Sequence, residues 1–294
     1  MTKMLNPLRT SPQADQENAL VTQSLAGNRK ALNQLLETHN AFIYNIAIKM
    51  TGDIEKAKDT TQDVLIKLTT NLAKYDPAKG SFRAWLYRVV YHFILDQQKS
   101  KPEINIQSFS QFFQVIGDIE DETPSEADQA SEPFLTEEVK IKCTSGMLLC
   151  LSREQRFLYV IGELFEVDHQ LGAEIFGLTP ASYRKRLSRI RRELYQWMHN
   201  RCGLVNKSNP CRCAKKTKGF VERGIVDPDH LVWNETHRHR IEDFATQQLT
   251  ELQISSDTVY AKLYRKHPLK EPKTVDEVLS TVLGDKNLKE FLAI

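Results

Sequence analysis

At 294 residues, with 40% hydrophobic and 27% charged residues, the chain has the composition of a soluble globular protein. Its length suits two compact domains of roughly 100–150 residues with a remainder. No apolar run approaches the roughly 20 residues of a membrane span, and the start MTKMLNPLRTSPQADQEN lacks the apolar core of a secretory signal, so the expected compartment is the cytoplasm. Five cysteines, an odd number, argue against a disulfide framework. No phosphate-binding Gly-rich loop, metal-spaced carboxylate pair or nucleophile elbow supports a hydrolase or nucleotidyl transferase, and the chain is expected not to be an enzyme.

Residues 13–100 read as a helical block. Ala57, Thr61, Val64, Leu65, Leu68 and Leu72 recur at helical spacing and predict one buried stripe. The outer face of that helix carries Asp59, Gln62, Asp63 and Ile66. An apolar side chain among polar ones is better explained by a partner than by water, although a merely solvated face is the plain alternative. Asp76, Pro77 and Gly80 interrupt the pattern, and Ser81 is placed to cap the next helix. Phe82, Trp85, Leu86, Val89 and Phe93 then predict a second stripe.

The net charge of +2 hides a strong separation along the chain. Residues 101–140 form an acidic linker: between Pro102 and Glu138 there are ten Asp and Glu and neither Lys nor Arg. With Pro102, Pro124 and Pro133 and no sustained apolar period, it is expected to be extended and disordered when free. Phe109, Phe112, Phe113, Val115 and Ile116 make a local apolar patch in it, a candidate docking point.

The second helical block, 141–200, contains DHQLGAEIFGLTPASYRKRLSRIRRELYQWM at 168–198. Leu171, Ala173, Ile175 and Phe176 give the first helix an apolar surface, Gly177 suits a left-handed stop, and Thr179-Pro180 supplies a cap and a first-turn proline. This predicts a helix-turn-helix. On its second helix Tyr183, Leu187, Ile190 and Leu194 turn inward, which leaves Ala181, Ser182, Arg184, Lys185, Arg186, Ser188, Arg189 and Arg192 outward. Small residues at the first turn let a helix enter the major groove, and the basic ones reach guanine edges and phosphates. A basic amphipathic helix is commonly a solvated surface; the turn, the cap and the arginine density favour DNA.

At the entry to the extension at 201–294, the run HNRCGLVNKSNPCRCAKKTKGF, beginning at His199, brings His199, Cys202, Cys211 and Cys213 together in sequence. Three thiols and an imidazole are a candidate tetrahedral zinc site, though C-x8-C-x-C is no standard finger; a redox thiol pair and a structural reduced cluster are the other readings. Further on, Ile241, Phe244, Leu249, Leu252, Val259 and Leu263 restore a helical pattern, which suggests packing on the second domain or on a partner.

LLCLSREQRFLYV followed by the helix-turn-helix with YRKRLSRIR resembles sigma region four, with Arg184, Arg186, Leu187, Arg189 and Arg191 at matching places. The first block is similar to sigma region two through Gly27, Ala57, Asp59, Gln62, Asp63, Val64 and Lys67, SFRAWLYRV at 81–89, and Asp96. Two such modules in this order, without region three, resemble the extracytoplasmic-function (ECF) class of bacterial RNA polymerase sigma factors over residues 13–200. The resemblance implies an all-α fold of two helical domains joined by an acidic flexible linker, with a helical C-terminal extension.

It also implies partners. Asp59, Gln62, Asp63 and Ile66 would meet the clamp helices of the largest subunit of core RNA polymerase, and the polymerase flap is a further expected contact of the chain. Residues Tyr75, Lys79, Ser81, Trp85, Tyr87, Arg88, Tyr91 and His92 would handle the minus-ten promoter element, with aromatic surfaces for unstacked bases and cations for phosphate. Trp85 is open between core and DNA. Tyr91-His92 stands where the family usually has Arg-Asn, so no promoter preference carries over there. Ala181, Ser182, Arg184, Lys185, Arg186, Arg189 and Arg192 would meet the minus-35 element. The linker would thread the polymerase cleft, its plain alternative being a tether, and an anti-sigma factor or other recruiting protein is a further expected partner. A stand-alone helix-turn-helix regulator is the rival reading. It predicts a ligand or dimer domain ahead of the motif, where this chain has its region-two-like block.

Overall fold

The computed structural model describes residues 14–97, 108–124 and 133–231. The apolar pattern at 241–263 and the linker stretches at 101–107 and 125–132 lie outside them. The described residues are helical with no strand, and contacts gather them into two units. One holds 14–97 and 153–187; the other holds 108–124, 133–152 and 188–231.

In the first unit α1 (Ala14–Leu25), α2 (Arg29–Thr51), α3 (Ile54–Asn71) and α4 (Phe82–Gln97) form a bundle. The starts of α2, α3 and α4 are set by local signals. The Asn28 side chain accepts from the N–H groups of Lys30 and Ala31, Asp53 from that of Lys56, and Ser81 from that of Ala84. Helix α2 stops at Gly52, whose φ of 69° is left-handed. The stripe expected on α3 is buried in full: Ala57, Thr61, Val64, Leu65, Leu68 and Leu72.

On α4 the buried face is rotated from the expected one. Phe82, Ala84, Leu86, Tyr87, Val90 and Ile94 are buried, whereas Trp85, Val89 and Phe93 are half-exposed. Tyr87 is the residue that turns the helix inward. It is 0% exposed, and its hydroxyl lies 3.3 Å from Nδ1 of His39, which α2 holds at 0% exposure.

The same unit contains α7 (Arg153–Tyr159), continued by a π turn over Val160–Leu164, and α8 (His169–Phe176). Asp168 caps α8 through the N–H groups of Gln170 and Leu171, and Gly177, with φ 62°, ends it. Helix α9 (Pro180–Arg201) comes next, its Thr179 hydroxyl accepting from Ser182 N–H at 3.2 Å. The helix-turn-helix expected at 168–198 is therefore present. Its two helices approach closely because position 172 is glycine: a Cβ there would stand 2.4 Å from Cζ of Tyr183. Tyr183, Leu187, Ile190 and Leu194 are all buried, as their spacing predicts.

In the second unit the linker departs from its expected extended state. Phe109–Gly117 form a helix, α5, capped by Ser108. Its apolar side is what orders it: Phe109, Phe112 and Ile116 are buried, and the Phe109 and Phe113 rings stack on Trp197 at 5.6 and 6.2 Å. Phe112 also lies over Gly146 of α6 (Pro133–Leu149), where a Cβ would come within 2.8 Å of its ring. The C-terminal extension contributes α10 (Cys213–Glu222), which packs on α6. The acidic residues just after α5 lie along α10. Lys216 donates to the carbonyl of Ile119 and stands 3.3 Å from Asp121, Lys218 pairs with Glu122 at 2.6 Å, and Arg223 donates to the carbonyl of Asp118.

Candidate nucleic-acid interface

Helix α9 presents the sequence-predicted basic face. Ala181, Ser182, Arg184, Lys185, Arg186, Arg189 and Arg192 are exposed over the buried row of Tyr183, Leu187, Ile190 and Leu194. Arg186 is engaged with Glu154 at 2.7 Å, both half-exposed. An exposed pair of this kind is worth about 0–1 kcal/mol, so a phosphate can replace the carboxylate at little cost. The Thr179 hydroxyl lies 3.0 Å from that of Ser182, which ties the short side chains of the first turn together.

The residues expected at the minus-ten element divide into three groups. Tyr75, Phe82 and Trp85 make an aromatic cluster, with ring centroids 5.3, 5.8 and 5.7 Å apart, buried at Phe82 and open at Tyr75 and Trp85. Tyr75 is held by a 2.9 Å hydrogen bond to the Asn18 side chain. Trp85 is half-exposed, with its ring against Phe82 and Tyr75 and the rest toward solvent. Lys79 is exposed nearby, paired with Asp76 at 3.3 Å, and His92 is exposed beside the Tyr91 ring. Ser81, Arg88 and Tyr91 form the second group, which contacts α8. Tyr87 is the third and is a correction: its ring is in the core, where it meets His39 edge-on at 5.8 Å, and no base can stack on it while α4 stays packed.

On α3 the expected partner face is intact as a surface. Asp59 and Asp63 are exposed and Gln62 and Ile66 half-exposed, one turn apart on the side opposite the buried stripe. Beside it Lys67 lies 5.2 Å from the centre of the Phe93 ring, which covers a residue expected in the core.

The candidate metal set does not hold. Among the described residues no group of three or more His, Cys, Asp and Glu is arranged to bind a metal ion. His199 is exposed and shares a 3.1 Å hydrogen bond with Tyr195, whereas Cys202 is buried. What assembles instead is a patch of free thiols. The backbones of Cys202 and Cys211 are bridged, and burial pushes the thiols of Cys202 and Cys211 up and that of Cys213 up to about 12. Cys143 of α6 belongs to the patch, although its place in the sequence does not mark it. Burial, then the neighbouring Cys213, Cys202, Cys211 and Cys150, raises its thiol. Such thiols are protonated and behave as small apolar side chains, which fits the structural reading.

Two further residues, Glu174 and Phe176 of α8, matter to this surface and were not singled out for it. Glu174 accepts from Ser81 through Oε2 at 3.1 Å and from Arg88 through its carbonyl, and Phe176 lies against Tyr91. Nothing local marks them, since their partners lie some 85–95 positions away.

Comparison with known proteins agrees with this architecture. The family model described as Sigma-70 region 2 matches residues 35–101, from within α2 through α4. The chain is similar to the RNA polymerase sigma factor YlaC of Bacillus subtilis, 27% identical over 167 residues, covering 57% of this chain and 91% of that one. It is also similar to the ECF RNA polymerase sigma factor SigE of Mycolicibacterium smegmatis, 21% identical over 188 residues, covering 63% and 69% of the two chains. With SigL of Mycobacterium tuberculosis, another ECF RNA polymerase sigma factor, it shares 26% identity over 117 residues, 40% of this chain and 64% of that one. The matched bundle, the helix-turn-helix behind it and relatives of one kind point the same way: the chain carries a match to sigma-70 region 2 and is similar to RNA polymerase sigma factors of the ECF class.

Proposed function

We propose that the chain is a non-enzymatic initiation factor that binds core RNA polymerase in the cytoplasm and directs promoter recognition, DNA opening and the start of transcription. The observation that carries this is the pairing of two surfaces: a basic helix-turn-helix face over a buried apolar row, and a bundle matched to sigma region 2 that bears a half-exposed aromatic cluster. In this reading Asp59, Gln62, Asp63 and Ile66 meet the clamp helices of the largest subunit. Tyr75, Lys79, Ser81, Trp85, Arg88, Tyr91 and His92 serve the minus-ten element, where stacking on aromatic rings holds unpaired bases whatever their sequence.

The N-terminal turns of α9 read the minus-35 element. Ser182 and Lys185 lie where side chains reach base edges, and Arg189 and Arg192 lie where they reach phosphates. The flap and an anti-sigma factor or other recruiting protein complete the set of proposed partners. Linker residues 118–122 are held on α10 in the free chain, and any threading by the linker starts from that docked state. Co-elution of the purified chain with core polymerase, at one-to-one stoichiometry, tests the reading; a chain that elutes alone at micromolar concentration contradicts it.

A further inference from the structure

Linker residues 118–122 and helix α10 match each other in charge. The linker runs Asp118, Ile119, Glu120, Asp121, Glu122, and α10 with the residue after it carries Lys215, Lys216, Lys218 and Arg223. Lys218 lies 2.6 Å from Glu122 and Lys216 3.3 Å from Asp121, while Lys216 and Arg223 donate to the carbonyls of Ile119 and Asp118. The linker backbone lies directly on the helix: Glu122 N–H donates to the Lys215 carbonyl at 2.9 Å, and a Cβ at Gly219 would stand 2.4 Å from Cγ2 of Ile119. Ile119 is the single apolar side chain the segment brings. What α10 otherwise receives from it is carboxylates and carbonyl oxygens.

The basic groups stand on fixed elements. The Asn206 and Asn209 side-chain amides donate to the His199 carbonyl at 3.2 and 2.8 Å, which folds the loop after α9 back over the C-terminal end of that helix. Arg212 donates to the carbonyls of Lys207 and Cys211 at 2.7 and 2.9 Å, and α10 follows, packed on α6 with Phe220 buried. Anionic oxygens along an extended chain are also what a phosphate backbone presents, and duplex DNA carries one charge per about 1.7 Å of its axis. The Lys218 and Glu122 side chains are 59% and 55% exposed, so this pair contributes little and yields to a competing anion. We propose that α10 is a phosphate-backbone contact of this chain for duplex DNA, beyond the sequence-reading turns of α9, and that linker residues 118–122 are the resident anion that DNA displaces. This rests on the reading of α9 as a DNA-binding helix.

Fluorescence anisotropy of the full chain with a duplex of scrambled sequence, titrated at several salt concentrations, tests the contact. Neutralising the linker with Asp121→Asn/Glu122→Gln is expected to tighten binding roughly fivefold or more and to steepen the dependence of log affinity on log salt by about two, one for each of Lys215 and Lys218. Adding Lys215→Gln/Lys218→Gln should abolish that gain, whereas Lys56→Gln/Lys58→Gln, which removes the same charge from α3, should keep it. The proposal is overturned by the absence of a gain, by a gain that survives loss of Lys215 and Lys218, or by one lost equally with either lysine pair, since net charge alone then explains it. Displacement is read on the unaltered chain with a glutamyl endopeptidase: cleavage after Glu120 and Glu122 should quicken when duplex is saturating, and an unchanged rate overturns the exchange. Failure of every one of these chains to bind duplex overturns the contact as well. The initiation reading is judged separately, by co-elution of the same preparations with core polymerase: a chain that co-elutes and shows no gain removes the α10 contact alone, and one that does not co-elute contradicts the initiation reading.

Discussion

Arg83 holds Glu17 through its Nε, which donates to the two carboxylate oxygens at 2.8 and 3.0 Å, at a site where the side chains are 9% and 5% exposed. Nε2 of His39 lies 3.5 Å from the same carboxylate, so α1, α2 and α4 are joined through one buried charge. Removing a partner from such a pair leaves an uncompensated ion, which costs more than the pair contributes. Arg83→Ala should therefore destabilise the protein by about 3–5 kcal/mol in urea unfolding. Replacing Arg83 and Glu17 together by leucine should cost clearly less, and an equal cost for both variants would contradict this account.

Lys49 gives the fold a pH dependence whose sign is set by its burial. It is 2% exposed, and burial lowers its pKa from 10.5 to about 7. Between those values the unfolded chain holds the proton and the folded chain does not, so this group makes stability rise with pH across roughly 7 to 10.5. Unfolding of wild type and Lys49→Met, compared at several pH values, should show the wild type gaining on the variant over that window. Parallel curves would mean that Lys49 stays protonated.

The α3 face is tested by charge reversal. Asp59→Lys with Asp63→Lys alters exposed residues opposite the buried stripe, so the thermal midpoint should move little. Affinity for core polymerase should fall at least tenfold. An unchanged affinity in a direct titration removes this face from the interface.

On α9 two substitutions should part company. Lys185→Ala should change which upstream sequence is preferred, at a cost of about 1–3 kcal/mol at one position. Arg192→Ala should weaken all sequences alike and flatten the salt dependence. Transcription from a promoter library at two salt concentrations separates them, and identical profiles would reduce α9 to an electrostatic anchor.

The parts of this molecule that could be read in advance are those whose signals are local. Tyr183, Leu187, Ile190 and Leu194 set the phase of α9 because the residues between them are polar or small, and Asp168, Gly177 and Thr179 mark the turns on either side. Helix α4 defeated the same reasoning. FRAWLYRVVYHFIL is apolar or aromatic on nearly every side, so periodicity alone cannot choose between Trp85 and Tyr87, and the choice is made by His39, 48 positions earlier. Likewise α5 had too few turns to stand out in an acidic stretch, and its order depends on Trp197 in a distant helix. The thiol patch was half-legible. Cys202, Cys211 and Cys213 are neighbours in sequence, but Cys143 joins them only through the packing of α10 on α6, and His199 points elsewhere.

The most direct test of the initiation role is run-off transcription with purified core polymerase on fragments of the source genome, with and without this chain. The account predicts discrete transcripts that begin at defined positions and appear only when the chain is added, and that are lost with Asp59→Lys/Asp63→Lys. Transcription that stays at the random background of core enzyme on every fragment, from a chain shown to be folded, would contradict it.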